Sequence, residues 1–318
     1  MATAFVFSGQ GSQYVGMMRD LHAEFAEAAN MLAEADSIMG MSLSSLCFDG
    51  PAEMLKETRY TQPALFVHEA ILVTLLRDHI PFHATAGHSL GEYSALFAAG
   101  VIDFATGLRL VKLRGELMFR AGEQYPGTMA AVVGLDDHTV QELCKRFTED
   151  GNLEKTIVAA NFNSPGQVVI SGSADYLRSK IPDFKAAGAK MVKELPVSGA
   201  FHSPLLQSAQ HELEQAIYTA TFVDAQVDVY ANALAAPVRR ADDIRSALVR
   251  QLTAPVLWTH SVQAMYAAGI TTFYELGPGN VLQGLIKRTV PATVTIAGFD
   301  TAAHVHAAVS SSSAYNKQ

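Results

Sequence analysis

Residues 127–197 alternate strand, helix, strand, strand, helix and strand, and this block interrupts a longer strand–helix alternation on either side. The strands read as Met129–Val133, Thr156–Asn161, Val168–Gly172 and Lys190–Val197, with helices over Asp137–Phe147 and Ala174–Ala187 between them. That β-α-β-β-α-β order is the split βαβ motif and predicts a ferredoxin-like inserted unit. Before it come a buried-type strand, Ala4–Phe7, a helical pattern over Met17–Met39, a second over Pro63–Arg77, and Ala84–Gly87 leading into helices over Ser89–Ala99 and Phe104–Ala121. After it a helix over Pro204–Tyr218 and a strand over Thr272–Glu275 resume the alternation. The expected fold is therefore α/β, with a largely parallel sheet built from residues 1–126 and 198–309 and a smaller insertion at 127–197. Residues 310–318, with four consecutive serines and little apolar content, read as a flexible tail.

At 318 residues and 49% hydrophobic, the chain can bury one large core and a smaller one. Its net charge of −8 leaves no basic field to neutralise phosphates, which argues against a nucleic-acid partner. Cys47 and Cys144 stand far apart, so no disulfide framework or metal knuckle is suggested, no metal or redox cofactor is expected, and a reducing cytoplasm fits. The opening residues lack a basic leader of the secretory kind. The most apolar long stretch, Ala64–Leu76, contains His68 and Glu69 and falls short of the roughly 20 residues that span a bilayer, so no membrane partner is expected. No exposed heptad or other interface signature is present, and a monomer is expected.

Gly87-His88-Ser89-Leu90-Gly91 matches G-x-S-x-G between a strand and a helix. Small residues around the serine permit a sharp turn that exposes its hydroxyl where helix N–H groups can stabilise an oxyanion. An ordinary N-cap serine would account for the hydroxyl but not for the two glycines. Such a nucleophile needs a base, and eleven histidines compete for the role. His22, His138, His211, His304 and His306 lie in polar or helical surroundings that suit a solvated surface, and His88 is expected to point away around the turn. His202 ends a loop before Ser203-Pro204, a helix start that disfavours imidazolium and favours a proton-accepting ring. The alternative is a histidine satisfied by local backbone groups.

On the helix over Phe104–Ala121, Leu110, Val111, Leu117, Met118 and Ala121 share a stripe with Arg114, while Arg109, Lys112, Glu116 and Arg120 lie opposite. Arg114 thus points into the core, where a guanidinium must meet an anion. A structural pair with a buried acid and a fork onto a substrate carboxylate both satisfy that need. Gly9-Gln10-Gly11 follows the first strand, but the next glycine is Gly16, which breaks the dinucleotide spacing. That loop can instead supply a second oxyanion donor, the backbone N–H of Gln10.

Together these residues resemble the malonyl-CoA:acyl carrier protein transacylase family. The resemblance also runs through Thr61-Gln62-Pro63-Ala64, Glu92-Tyr93-Ser94-Ala95, Leu113-Arg114-Gly115, Asn161–Gln167, Leu195–Ser198 before Phe201-His202, Val249–Leu252 and Gly277-Pro278-Gly279. It implies a hydrolase-like α/β domain with a ferredoxin-like insertion, Ser89 as the acyl carrier, His202 as its base, and N–H groups of Gln10 and Leu90 as the oxyanion hole. It further implies Arg114 on the malonyl carboxylate, the backbone carbonyl of Gln251 in place of a triad acid, Asn161 near the site, and Phe201 limiting room for an α-methyl branch. The implied partners are malonyl-CoA, as substrate, and a phosphopantetheinylated acyl carrier protein of fatty acid synthesis. A polyketide carrier, a serine esterase and a non-enzymatic carrier-docking scaffold are the rivals. Lys287-Arg288 and Arg239-Arg240 are candidate carrier contacts.

Overall fold

The computed structural model describes residues 2–315. Strands β1 (Ala2–Phe7) and β2 (Ala84–Gly87) lie side by side at the centre of the larger sheet. Strands β3 (Gly127–Val133), β4 (Ile157–Ser164), β5 (Gln167–Ser173) and β6 (Met191–Glu194) form a separate sheet. The larger sheet is completed by β7 (Asp228–Ala231), β8 (Ala236–Val238), β9 (Ile270–Leu276) and β10 (Thr295–Phe299). Its six strands run in the order β10-β9-β1-β2-β7-β8, parallel throughout except for the β7–β8 edge pair. The four-stranded sheet, ordered β4-β5-β3-β6, is antiparallel throughout. The fold is thus mixed α/β, with a largely parallel sheet and a second antiparallel one.

Strand alternation sets the two faces of the main sheet. Phe5 and Phe7 enter the larger core with Phe66, Leu108 and Leu117, whereas Ala4 and Val6 face Trp258, Val262, Phe273 and Ile286 on the other side. The smaller sheet closes its own core around Ala130, Val132, Ile157, Ile170 and Phe184. Among the described residues no helix is long and apolar enough to cross a membrane.

Three local readings change. The pattern over Met17–Met39 splits into helices Arg19–Glu24 and Ala26–Met39, because Phe25 is extended at φ −123° and packs on the core, where tertiary contact outweighs helix propagation. The helix expected from Pro63 starts at Thr58; Pro63 forfeits one backbone bond near the helix start, and full burial of that helix face offsets the loss. At the other end, helix Ala302–Tyr315 runs through most of the expected tail, whose last residues, 316–318, lie outside the described ones. Serine costs little when added to an existing helix, and Ser311 bonds back to the Ala307 carbonyl at 2.8 Å.

Candidate active site

The parallel arrangement brings the carboxyl ends of β1, β2 and β7 together, the edge where open α/β sheets meet their ligands. β2 ends at Gly87, and Ser89 turns the chain at φ 53°, in the left-handed region, before helix Gly91–Ala98 begins. Only glycine allows so tight a turn. A Cβ on Gly87 would stand 1.8 Å from the Gly91 carbonyl carbon, and one on Gly91 would stand 2.2 Å from the Phe7 carbonyl oxygen. Asn232, just past β7, secures the turn: its Oδ1 accepts the Ser89 N–H at 2.7 Å and its Nδ2 donates to the Gly87 carbonyl at 2.6 Å.

His202 approaches from the opposite side, also at positive φ (56°). Its Nε2 lies 2.8 Å from Ser89 Oγ and its Nδ1 lies 2.9 Å from the Gln251 carbonyl. A carbonyl can only accept, so Nδ1 carries the proton and Nε2 presents a lone pair to the serine hydroxyl. Burial first, and then the Arg114 charge, push the His202 pKa down to about 3, so the ring is neutral. The structure thereby adds two causes of neutrality to the expected helix start, which opens as a 3₁₀ turn over Pro204–Leu206 and runs directly into helix Gln207–Thr219.

Arg114 is 1% exposed. Its Nη1 donates to Gln62 Oε1 at 2.6 Å, and its Nη2 donates to Ser89 Oγ at 3.0 Å and to Gln251 Oε1 at 3.1 Å. Its Nε is buried without a partner among the described residues. Among the described residues no ion pair joins Arg114 to a carboxylate, so the structural-pair alternative is not realised. Behind it lies Glu92, 2% exposed, whose Oε2 accepts the Gln251 Nε2–H at 2.8 Å and the Asn232 N–H at 3.1 Å. Burial raises its pKa to about 7, against the opposing pull of those hydrogen bonds and of Arg114.

These groups surround one cavity of about 190 Å³ that Ser89, His202 and Arg114 share with Gln10, Leu90, Asn161 and Phe201. The Gln10 loop is anchored by its Nε2 bond to Thr58 Oγ1 at 3.0 Å. Gln251 lies just behind, reaching the site through its carbonyl and its side chain. His88 differs from expectation: it lines the cavity, with Nε2 2.8 Å from Asn163 Oδ1 and its ring centroid 5.8 Å from that of Trp258. His22, His138, His211, His304 and His306 are exposed. Of the basic pairs, Arg239 is bound to Asp228 and Arg288 to Gln167, while Lys287 and Arg240 are exposed. The sequence reading missed Gln62, Glu92, Asn163 and Asn232. Of these only Glu92 carried a local signal, as an acid in an otherwise small and apolar helix.

Residues 4–310 match the acyl transferase domain family. The malonyl CoA-acyl carrier protein transacylase of Escherichia coli O157:H7 is 44% identical over 290 residues, 90% of this chain and 92% of the relative. The chain belongs to the malonyl-CoA:acyl carrier protein transacylase family. A solved transacylase of this kind, an acyl carrier protein S-malonyltransferase from Vibrio cholerae, superposes with TM-score 0.90 at 39% identity, covering 96% of this chain and 99% of that one. Another, a malonyl-transacylase in complex with a type II PKS acyl-carrier protein, superposes with TM-score 0.90 at 38% identity, covering 98% and 100%. Among the described residues of this transacylase-family chain, no group of three or more His, Cys, Asp or Glu side chains could hold a metal ion.

Proposed function

We propose that the chain transfers malonyl from malonyl-CoA to the phosphopantetheine thiol of an acyl carrier protein, supplying fatty acid elongation through a malonyl ester on Ser89. The observation that carries this reading is a buried guanidinium, in no ion pair with a carboxylate among the described residues, 3.0 Å from a serine hydroxyl that meets a neutral histidine at 2.8 Å. Ser89 Oγ attacks the thioester carbonyl as its proton passes to His202 Nε2. The carbonyl oxygen turns toward the N–H groups of Gln10 and Leu90, each worth on the order of 3 kcal/mol to the barrier. Collapse breaks the C–S bond, and His202 returns the proton to the departing coenzyme A thiolate. The carrier thiol then gives its proton to His202 and attacks the ester, and Ser89 takes the proton back as it leaves.

Arg114 takes the malonyl carboxylate as a charge-assisted pair. Phe201 narrows the space beside the α-carbon, and Asn161 borders the acyl group. Residues 127–197 act as one inserted unit covering the site on a frame of 1–126 and 198–309. The buried, unpaired thiols of Cys47 and Cys144 support a cytoplasmic setting. An esterase would gain nothing from Arg114, and a docking scaffold gives no reason for serine, histidine and arginine to converge. The relative bound to a type II PKS carrier favours polyketide carriers as a second destination for the same chemistry.

The test is malonyl transfer to a phosphopantetheinylated carrier, measured beside hydrolysis of neutral p-nitrophenyl esters. Transfer should dominate. Ester hydrolysis far above transfer would overturn the reading in favour of an esterase, and preference for a polyketide over a fatty acid carrier would redirect its pathway.

A further inference from the structure

The Gln251 amide is held from three sides. Its Nε2 donates to the Ser89 carbonyl at 2.7 Å and to Glu92 Oε2 at 2.8 Å, while its Oε1 accepts from Arg114 Nη2 at 3.1 Å. An amide turned end over end would aim its N–H₂ at the guanidinium and its oxygen at two acceptors. Glu92 is the stronger of those acceptors, so it decides which end of the amide meets Arg114. The same Oε2 accepts the N–H of Asn232, whose side chain grips both sides of the Ser89 turn. One buried carboxylate therefore stands behind both the nucleophile's turn and the cation beside it.

From this geometry we infer that Glu92 is a positioning residue for acyl-group selection: acting through the Gln251 amide, it holds Arg114 where a substrate carboxylate can reach it beside Ser89. The inference rests on the reading that Arg114 receives the malonyl carboxylate. An acetyl group has no carboxylate and does not need Arg114, so disturbing Glu92 lowers malonyl transfer more than acetyl transfer. A merely structural role would lower both alike.

The experiment measures kcat/KM for Ser89 acylation by malonyl-CoA and by acetyl-CoA in wild type, Glu92→Ala, Glu92→Gln, Gln251→Met, Arg114→Ala and the Glu92→Ala/Arg114→Ala pair. Glu92→Ala should cut the malonyl-to-acetyl ratio about tenfold, the loss of one buried hydrogen bond to the Gln251 amide. Glu92→Gln, which keeps an acceptor oxygen, should retain most of the ratio. Gln251→Met keeps the backbone carbonyl that His202 needs and should reproduce the Glu92→Ala loss, so the inference stays testable should Glu92→Ala not fold. In the Arg114→Ala background Glu92→Ala should change the ratio no further. An unchanged ratio in Gln251→Met or in folded Glu92→Ala, with Arg114→Ala losing it, overturns the role of Glu92. An unchanged ratio in Arg114→Ala overturns the underlying reading of the arginine instead.

Discussion

Arg114 Nη2 and His202 Nε2 meet on the same atom, the hydroxyl oxygen of Ser89, at 3.0 Å and 2.8 Å. The guanidinium can only donate, so it occupies a lone pair of Oγ and leaves the hydroxyl proton directed at the imidazole. The same cation lowers the affinity of His202 for that proton. Any anion that neutralises Arg114 should therefore strengthen the base.

Replacing Arg114 by methionine should lower malonyl transfer by about 100-fold while sparing acetyl transfer, because a buried charge-assisted pair is lost. Lysine should not rescue it, since a point charge cannot reproduce the planar fork. With the positive charge gone, the His202 pKa should rise from about 3, while burial, the larger cause, keeps it below its ordinary value. NMR titration of the ring in both proteins checks the direction, and an unmoved pKa would contradict the electrostatic coupling.

His202→Asn should slow acylation of Ser89 by roughly 100- to 10,000-fold, the usual worth of a positioned general base. Pre-steady-state release of coenzyme A measures it. A change of less than threefold would assign the proton to another group.

Glu92 makes a stability prediction with a defined sign. Its folded pKa, about 7, lies above the ordinary carboxyl value of 4.5, so between these pH values the folded chain holds a proton that the unfolded chain has lost. Its contribution to stability is full below about pH 4.5 and declines as pH rises through about 7. Relative to Glu92→Gln, wild type should therefore lose on the order of 3 kcal/mol across that window. Urea unfolding of the two proteins at pH 4.5 and pH 8 reads the difference; parallel curves would contradict it.

Gly87→Ala should destabilise the fold by more than about 3 kcal/mol, because the added methyl meets backbone of the Gly91 turn rather than a side chain that can move. Thermal unfolding, or absence of folded protein, is the readout. A wild-type Tm would show that the turn has room.

Much of this arrangement was legible in the sequence because its signals are local. The apolar run Ala4–Phe7, the strand–helix order of 127–197, and one cation on an apolar helical stripe each lie within a short window. The network behind the site is different in kind. Glu92 lies 140 residues from Asn232 and 159 from Gln251, and no spacing rule joins polar residues that only the packed sheet brings together. Gln251 was read for its carbonyl alone, and its side chain, which links Ser89, Glu92 and Arg114, left no mark in the sequence. The break at Phe25 escaped for the converse reason: local periodicity is continuous there and tertiary contact decides.

Intact-protein mass spectrometry after mixing with malonyl-CoA reads the acyl-enzyme itself, with wild type and Ser89→Ala compared before and after addition of phosphopantetheinylated carrier. Wild type should gain one malonyl group and discharge it to the carrier, and Ser89→Ala should gain none. Malonyl retained on Ser89→Ala, or wild type left unmodified while the carrier becomes malonylated, would contradict a Ser89 ester as the intermediate.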